Sequence, residues 1–199
     1  MTPIKTQYAG LKSKIDDQLS RWSVAAFGIG AAGEAVYLGL FNTFITIFYN
    51  QVIGLSNTLI GTAIMLALVV DAITDPLIGI ISDKWKSKHG RRHPFLFAAP
   101  IPLALAIYAI FNPPESILNG VDNFTNYVLF AWLASCTIFS RVFLTLYSIP
   151  HLALGGEMSK NHNQRSRLFS ANSAFSYVTG ALFGFLAWGV FFDGDHIRA

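Results

Sequence analysis

The chain has 199 residues, of which 53% are hydrophobic and only 13% are charged, with a net charge of +3. Soluble domains usually contain about 25% charged residues, so this composition excludes an ordinary soluble protein. It predicts an all-α integral membrane protein, whose positive charge is expected to follow the membrane topology rather than a nucleic-acid surface.

Five apolar stretches are long enough to cross a bilayer, which takes about 20 helical residues. The predicted transmembrane helices cover residues 22–49, 57–82, 94–111, 126–152 and 168–192. Residues 1–21 precede them as a cytoplasmic tail, and residues 193–199 follow as a short extracytoplasmic end of a chain that we expect to be truncated. Pro100 and Pro102 predict a kink in the third helix, because proline cannot donate the helical hydrogen bond.

Lysine and arginine are distributed unevenly between the two sides of this arrangement. The tail and the loops 83–93 and 155–167 together carry twelve of these residues, whereas the opposite side carries one, Arg198. Cytoplasmic loops of membrane proteins are enriched in lysine and arginine. The count therefore predicts a multi-pass protein of the inner cell membrane with a cytoplasmic N-terminus.

Two carboxylates lie four residues apart inside the second predicted helix, at Asp71 and Asp75. That spacing places both on one face, about 6 Å apart along the helix axis. Pro76 cannot bond the Ala72 carbonyl, which leaves another oxygen near the pair. Oxygen ligands suit hard cations, and acids inside a membrane are functional candidates. We therefore predict a site for a coupling cation or proton, with a purely structural pair as the alternative.

Polar residues on two other helices predict a solute site. The fourth helix carries Arg141, Thr145 and Ser148 on one face, and the first carries Glu34 and Tyr37 in a looser band. Polar faces in one bundle suggest a shared aqueous cavity, and these groups suit a small polyhydroxylated solute. Two alternatives stay open, namely an ion pair between Glu34 and Arg141 and hydrogen bonding between helices.

No enzyme motif is found in the sequence. Residues 28–33, with the sequence GIGAAG, match a dinucleotide fingerprint. The fingerprint needs a preceding strand, whereas these residues lie inside a predicted helix, where small residues allow close packing. Nucleophile-elbow, P-loop and zinc-binding spacings are not found either. We therefore expect neither an enzyme nor a cofactor, and no nucleic-acid partner.

Two segments resemble one transporter family. The first is residues 71–83 (DAITDPLIGIISD) with residues 90–94 (GRRHP), and the second is residues 149–158 (IPHLALGGEM), followed by Arg165 and Arg167. Together they resemble the glycoside–pentoside–hexuronide:cation symporters, a branch of the major facilitator superfamily. Members have twelve helices in two six-helix halves. The resemblance implies five helices of the N-terminal half, with the C-terminal half missing.

The resemblance also implies roles for particular residues. Asp71 and Asp75 match the acids that bind the coupling cation, which is sodium or a proton. The acids that bind sugar in members of the melibiose type have no match, because Ala35 and Ser148 stand at those positions. The cytoplasmic latch that steadies one state of the transport cycle is matched by Gly79, Asp83, Arg91, Arg92, Glu157 and Arg165.

The implied function is cation-coupled symport of a sugar, glycoside or hexuronide by alternating access. Its partners would be a small polar solute, membrane lipid and the C-terminal half of the transporter. Two alternatives stay open: a lysolipid transporter of the same superfamily and a non-transporting truncated membrane protein.

Overall fold

The computed structural model of the protein describes residues 19–88, 90–118 and 123–191. Within these ranges the regular secondary structure is helical and no strand occurs. The predicted tail and extracytoplasmic end lie almost wholly outside the described residues and stay predictions. The helices are α1 (Arg21–Gly39), α2 (Ile45–Ile47), α3 (Asn57–Lys84), α4 (His93–Ala98), α5 (Pro100–Phe111), α6 (Glu115–Leu118), α7 (Asn123–Glu157) and α8 (His162–Phe191), with π-helical turns at Leu40–Phe44 and Phe48–Val52.

Four helical stretches of the described residues are long and apolar enough to cross a membrane. They are Arg21–Val52, Asn57–Lys84, His93–Leu118 and Thr125–Glu157, which correspond to the first four predicted transmembrane helices. Helix α8 is not among them, and it begins at His162 rather than at the predicted residue 168. Its first turns are polar, so the apolar pattern of the sequence marked only the later part of this helix. The prediction of an all-α membrane protein is confirmed.

The link between the first two spans fixes where α3 begins. Gly54 has φ of +84°, a left-handed conformation that glycine adopts without steric cost. Ser56 has extended backbone, and its Oγ accepts a hydrogen bond of 3.4 Å from the Leu59 N–H. Serine favours this N-cap position because its oxygen satisfies a helical N–H that has no intrahelical partner. The sequence Gly-Leu-Ser therefore ends one span and starts the next.

Wide turns in the first span keep one row of side chains on the buried face. Tyr37, Phe41, Ile45 and Tyr49 are four residues apart and at most 5% exposed. In a regular α-helix each step of four residues overshoots a full turn by about 40°, so such a row would drift around the helix. The π-helical turns at Leu40–Phe44 and Phe48–Val52 are wider and reduce this drift.

The predicted kink in the third span is a one-residue interruption. Helices α4 and α5 are separated only by Ala99, whose φ of −72° and ψ of −37° are still helical. Pro100 has no N–H to donate to the Leu96 carbonyl, which accounts for the gap in hydrogen bonding. Pro102 lies inside α5, where it belongs to the first turn and is tolerated.

Two prolines after α5 leave carbonyl groups that neighbouring spans satisfy. Pro113 and Pro114 cannot donate to the carbonyls four residues earlier, which belong to Ala109 and Ile110. Trp132 Nε1 donates to the Ala109 carbonyl at 3.1 Å, and Tyr49 Oη donates to the Ile110 carbonyl at 2.8 Å. The ends of three spans are thereby joined through backbone oxygens.

Packing divides the chain into two compact units, which are described separately. The first comprises Met1–Val36 with Ala153–Ala199, and the second comprises Tyr37–Leu152. The main apolar core lies in the second unit, where residues of the first four spans and of the link between the first two are buried together. They are Tyr37, Phe41, Ile45, Tyr49, Leu55, Ile60, Ala63, Ile110, Leu129, Leu133, Ala134 and Leu144.

Glycines allow close packing in the first unit. The ring of Phe27 meets that of Phe169 edge to face, with centroids 6.0 Å apart. A β-carbon at Gly155 would overlap the Phe27 ring, and one at Gly28 would overlap the Phe175 ring. The packing role predicted for residues 28–33 therefore applies at Gly28, while a β-carbon at Gly33 would meet nothing within 4 Å.

Candidate functional site

Helices α3 and α7 face one another in a regular register within the second unit. Three contacts repeat a separation of 70 residues: Asp71 with Arg141, Asp75 with Thr145, and Gly79 with Ile149. Successive contacts are four residues apart on each helix. Both numbers rise together along the chain, so the two helices run parallel, as expected for the second and fourth spans of a membrane bundle.

Small and buried residues fix this register on either side of the charged contacts. At the same separation, the preceding positions are Ala63, Leu133, Ala67 and Thr137, all 0% exposed. After the charged contacts, a β-carbon at Gly79 would lie 3.8 Å from Cγ2 of Ile149. Packing every fourth residue of one helix against every fourth of the other is a common mode of helix association. The apolar contacts therefore determine which polar residues meet.

Asp71 and Arg141 form an ion pair inside the apolar spans. Nε of Arg141 lies 3.0 Å from Oδ2 of Asp71, and each side chain is 16% exposed. The contact has the distance of an ion pair but not the alignment of a hydrogen bond, and neither Arg141 Nε nor Asp71 Oδ1 has a hydrogen-bond partner among the described residues. The pair is thus mostly buried and electrostatic, with one carboxylate oxygen still able to accept a hydrogen bond.

Aromatic and hydroxyl groups surround the arginine. The guanidinium carbon of Arg141 lies 5.3 Å from the centre of the Phe41 ring, a distance at which a cation is attracted to the face of the ring. One residue before Arg141, the Ser140 hydroxyl is 2.9 Å from the Tyr37 hydroxyl and donates to the Thr137 carbonyl at 2.8 Å. The first span therefore contributes both Phe41 and Tyr37 to this part of the site.

Asp75 lies one turn further along α3 and has different surroundings. Its Oδ1 accepts a hydrogen bond of 2.9 Å from Thr145 Oγ1, and the residue is exposed, whereas Thr145 is only 6% exposed. A charged group in the middle of an apolar span is costly against hydrocarbon. The face of α3 that carries Asp75 is therefore expected to meet water or protein.

The remaining predicted solute residues lie in both units. Ser148 is half-buried on α7, and Glu34 is half-buried on α1 in the first unit. Tyr37 is 2% exposed and bonded to Ser140, and Thr145 is bonded to Asp75. In this structure Tyr37 and Thr145 thus form hydrogen bonds with neighbouring side chains. Their contact with a solute stays a prediction.

Two of the predicted latch residues are in direct contact. Nη2 of Arg92 donates to Oδ1 of Asp83 at 2.7 Å, and Gly90, with φ of +95°, forms the turn between them. Arg91 is exposed. Glu157 and Arg165 belong to the first unit, where Nη2 of Arg165 would lie 3.7 Å from a β-carbon at Gly156.

The pairing of Asp71 with Arg141 was missed by the sequence reasoning, which considered Glu34 as the partner of the arginine. A signal was present: the second and fourth apolar stretches each carry polar residues four apart, at Asp71 and Asp75 and at Arg141 and Thr145. Two such rows can align when helices pack with a four-residue period. The contribution of Phe41 had no comparable signal, since it is one of 17 phenylalanines.

Comparison with known proteins places the chain in a transporter family. A family model described as MFS/sugar transport protein matches residues 26–195. The chain is similar to an uncharacterized symporter of Synechocystis sp., with 33% identity over 152 residues that cover 76% of this chain and 27% of the relative.

Two further relatives carry names that mention solutes. A putative glycoside/cation symporter of Escherichia coli is 29% identical over 123 residues, covering 62% of this chain and 25% of the relative. An isoprimeverose transporter of Lactiplantibacillus pentosus is 26% identical over 129 residues, covering 65% of this chain and 25% of the relative. The chain spans about a quarter of the length of these curated relatives. With a family match over most of its length and helices that can cross a membrane, this chain belongs to the MFS/sugar transport protein family.

Proposed function

We propose that this chain forms part of a transporter that couples uptake of a sugar, glycoside or hexuronide to a cation by alternating access. One observation carries the proposal: Asp75 is an exposed carboxylate in the middle of an apolar span, held by Thr145 and one turn from the Asp71–Arg141 pair. Carboxylate and hydroxyl oxygens are ligands for hard cations, and a carboxylate can equally hold a proton.

The charge at this site favours a monovalent coupling ion. Asp71, Asp75 and Arg141 together carry one net negative charge when all are ionised. A sodium ion or a proton would balance the remaining charge, whereas a divalent cation would reverse it.

The names of the relatives support a sugar-type solute. They mention a glycoside/cation symporter, an isoprimeverose transporter and a glucuronide carrier homolog. Ser148 on α7 is half-buried, so a rearrangement of its surroundings would present its hydroxyl to a solute. Segments outside this chain would complete the pathway, and the uneven distribution of lysine and arginine favours a cytoplasmic N-terminus in the inner cell membrane.

The decisive experiment removes the charge of Asp75 in the complete transporter. Asp75→Asn should abolish accumulation of a labelled glycoside against its gradient in vesicles with an imposed sodium or proton gradient, because the asparagine amide cannot balance a cation. Glu115→Gln removes an exposed carboxylate at the start of α6 and serves as the control that should retain accumulation. Full accumulation by Asp75→Asn would rule out the cation site.

One observation favours lysolipid transport as the second candidate. An open groove of about 650 Å³ runs between the third and fourth spans and is lined almost wholly by apolar side chains, including Leu105, Trp132 and Phe139. An acyl chain would fit such a lining. Uptake of a labelled lysolipid compared with a labelled glycoside by the complete transporter distinguishes the two solutes.

A further inference from the structure

One positively charged side chain, Arg141, lies beside the two acids on α3 and contacts Asp71. We propose that Arg141 is an internal counter-cation for Asp71, which leaves one net negative charge at Asp75 and so limits coupling to one monovalent cation. This inference rests on the proposed function, because it assigns the number and affinity of cations at the same site.

The position of Arg141 is the first support. Its Nε lies 3.0 Å from Asp71 Oδ2, and its guanidinium carbon lies 5.3 Å from the centre of the Phe41 ring. The carboxylate and the ring face both attract a cation. Arginine keeps its charge at all pH values that proteins tolerate, so this counter-charge is not lost by deprotonation.

The contrast between the two acids is the second support. Asp71 is mostly buried beside a positive charge, with a side chain that is 16% exposed. Asp75 is exposed and bonded to the neutral hydroxyl of Thr145. A cation approaching from the open face of α3 therefore meets an uncompensated carboxylate at Asp75 and a compensated one at Asp71.

The incomplete geometry of the ion pair is the third support. A purely structural arginine would be expected to donate aligned hydrogen bonds to both carboxylate oxygens. Here Nε of Arg141 is not aligned for a hydrogen bond, and the buried Oδ1 of Asp71 accepts none from the described residues. Arg141 thus supplies charge to Asp71 without occupying both carboxylate oxygens.

Removal of the arginine has a consequence opposite to that of losing an ordinary binding residue. With Arg141→Gln, two carboxylates one helical turn apart share no counter-charge and repel one another. A bound cation relieves that repulsion, so cation affinity should rise. With Asp71→Asn added, the net charge returns to its original value and the affinity should fall back.

The first test measures thermal unfolding of the complete transporter in detergent, in choline chloride. Arg141→Gln and Asp71→Asn should each lower the melting temperature, and the double variant should regain most of the loss because no unpaired charge remains. Lys160→Gln, which removes a positive charge from the exposed link between α7 and α8, is the matched control and should leave it unchanged. A double variant no more stable than the single ones would overturn the ion-pair assignment.

The second test measures labelled glycoside uptake as a function of the driving cation, using sodium and proton gradients imposed separately. Whichever cation drives the unaltered transporter should reach half-maximal effect in Arg141→Gln at a concentration at least about tenfold lower. The double variant should return to the original concentration. An unchanged or weakened cation dependence in Arg141→Gln, or a loss of uptake that the double variant does not restore, overturns the counter-cation proposal.

The two tests separate this inference from the proposed function. If the unaltered transporter shows no dependence on either gradient, the proposed coupling fails, while the recovery of stability in the double variant still reports the ion pair. If coupling is present and Arg141→Gln does not bind the cation more tightly, coupling stands and the role given to Arg141 fails.

Discussion

Two acid–arginine contacts in this chain use the same chemical groups in opposite surroundings. Between Asp71 and Arg141 both side chains are 16% exposed, and the 3.0 Å contact is not aligned as a hydrogen bond. Between Asp83 and Arg92 the arginine is 8% exposed and the carboxylate 60%, with a hydrogen bond of 2.7 Å. The better-formed bond is that between Arg92 and Asp83, whose carboxylate is exposed. Geometry alone therefore does not indicate which pair matters more for stability.

The further interactions of Arg92 are the difference that should decide the effect of removing each aspartate. Removing one member of a buried pair leaves the other charge without compensation, whereas an exposed charge is solvated by water. The Asp71–Arg141 pair should accordingly be costly to break from either side, whereas the Asp83–Arg92 pair should tolerate the loss of Asp83 because Arg92 keeps its further interactions.

The largest expected effect comes from Asp71→Asn. It leaves the guanidinium of Arg141 buried without a carboxylate, which should lower the free energy of unfolding by about 3 to 5 kcal/mol. Thermal unfolding in detergent, calibrated against the unaltered protein, measures this. A loss no larger than that of Asp83→Asn would show that the further interactions of Arg92 do not distinguish the two pairs.

A smaller effect is expected from Asp83→Asn, the same substitution at the exposed pair. The Asp83 carboxylate is 60% exposed, and ion pairs of exposed groups contribute about 1 kcal/mol or less. Arg92 is only 8% exposed but keeps its further interactions, so its charge is not left without compensation. The free energy of unfolding should therefore fall by no more than about 1 kcal/mol in the same assay. A larger loss would indicate that the Asp83–Arg92 contact organises the whole turn around Gly90.

The smallest expected effect concerns salt. Coupling energies from double-mutant cycles should be measured for both pairs in about 0.01 M and about 1 M choline chloride, between which the screening length falls from about 30 Å to about 3 Å. The coupling of Asp83 with Arg92 should fall by a few tenths of a kcal/mol, since its carboxylate is reached by the ions. The coupling of Asp71 with Arg141 should stay unchanged, and equal responses would place both pairs in contact with solvent.

The sequence was sufficient for features that depend on neighbours along the chain. Apolar length predicts the first four spans, the four-residue spacing predicts that Asp71 and Asp75 share a face, and Pro100 predicts the interruption at Ala99. Helix ends were harder to predict, because polar residues such as His162 can continue a helix outside the apolar segment.

Contacts between helices could not be predicted in the same way. The height at which α7 packs on α3 depends on burial along the whole interface, including Ala63, Ala67 and Gly79. That height selects Asp71 rather than another acid as a partner of Arg141. The position of Phe41 under the guanidinium further depends on the wide turns of the first span. No local residue pattern predicted those turns.

The proline pair after α5 has a consequence for how substitutions are tolerated at the ends of the spans. The acceptors are main-chain oxygens of Ala109 and Ile110, so the side chains at those positions can change without loss of the bonds. The donors are the indole of Trp132 and the phenol of Tyr49, and few other side chains carry an N–H or O–H so far from the backbone. As far as these two hydrogen bonds are concerned, the side chains on the third span can vary, whereas particular residues are required on the first and fourth spans.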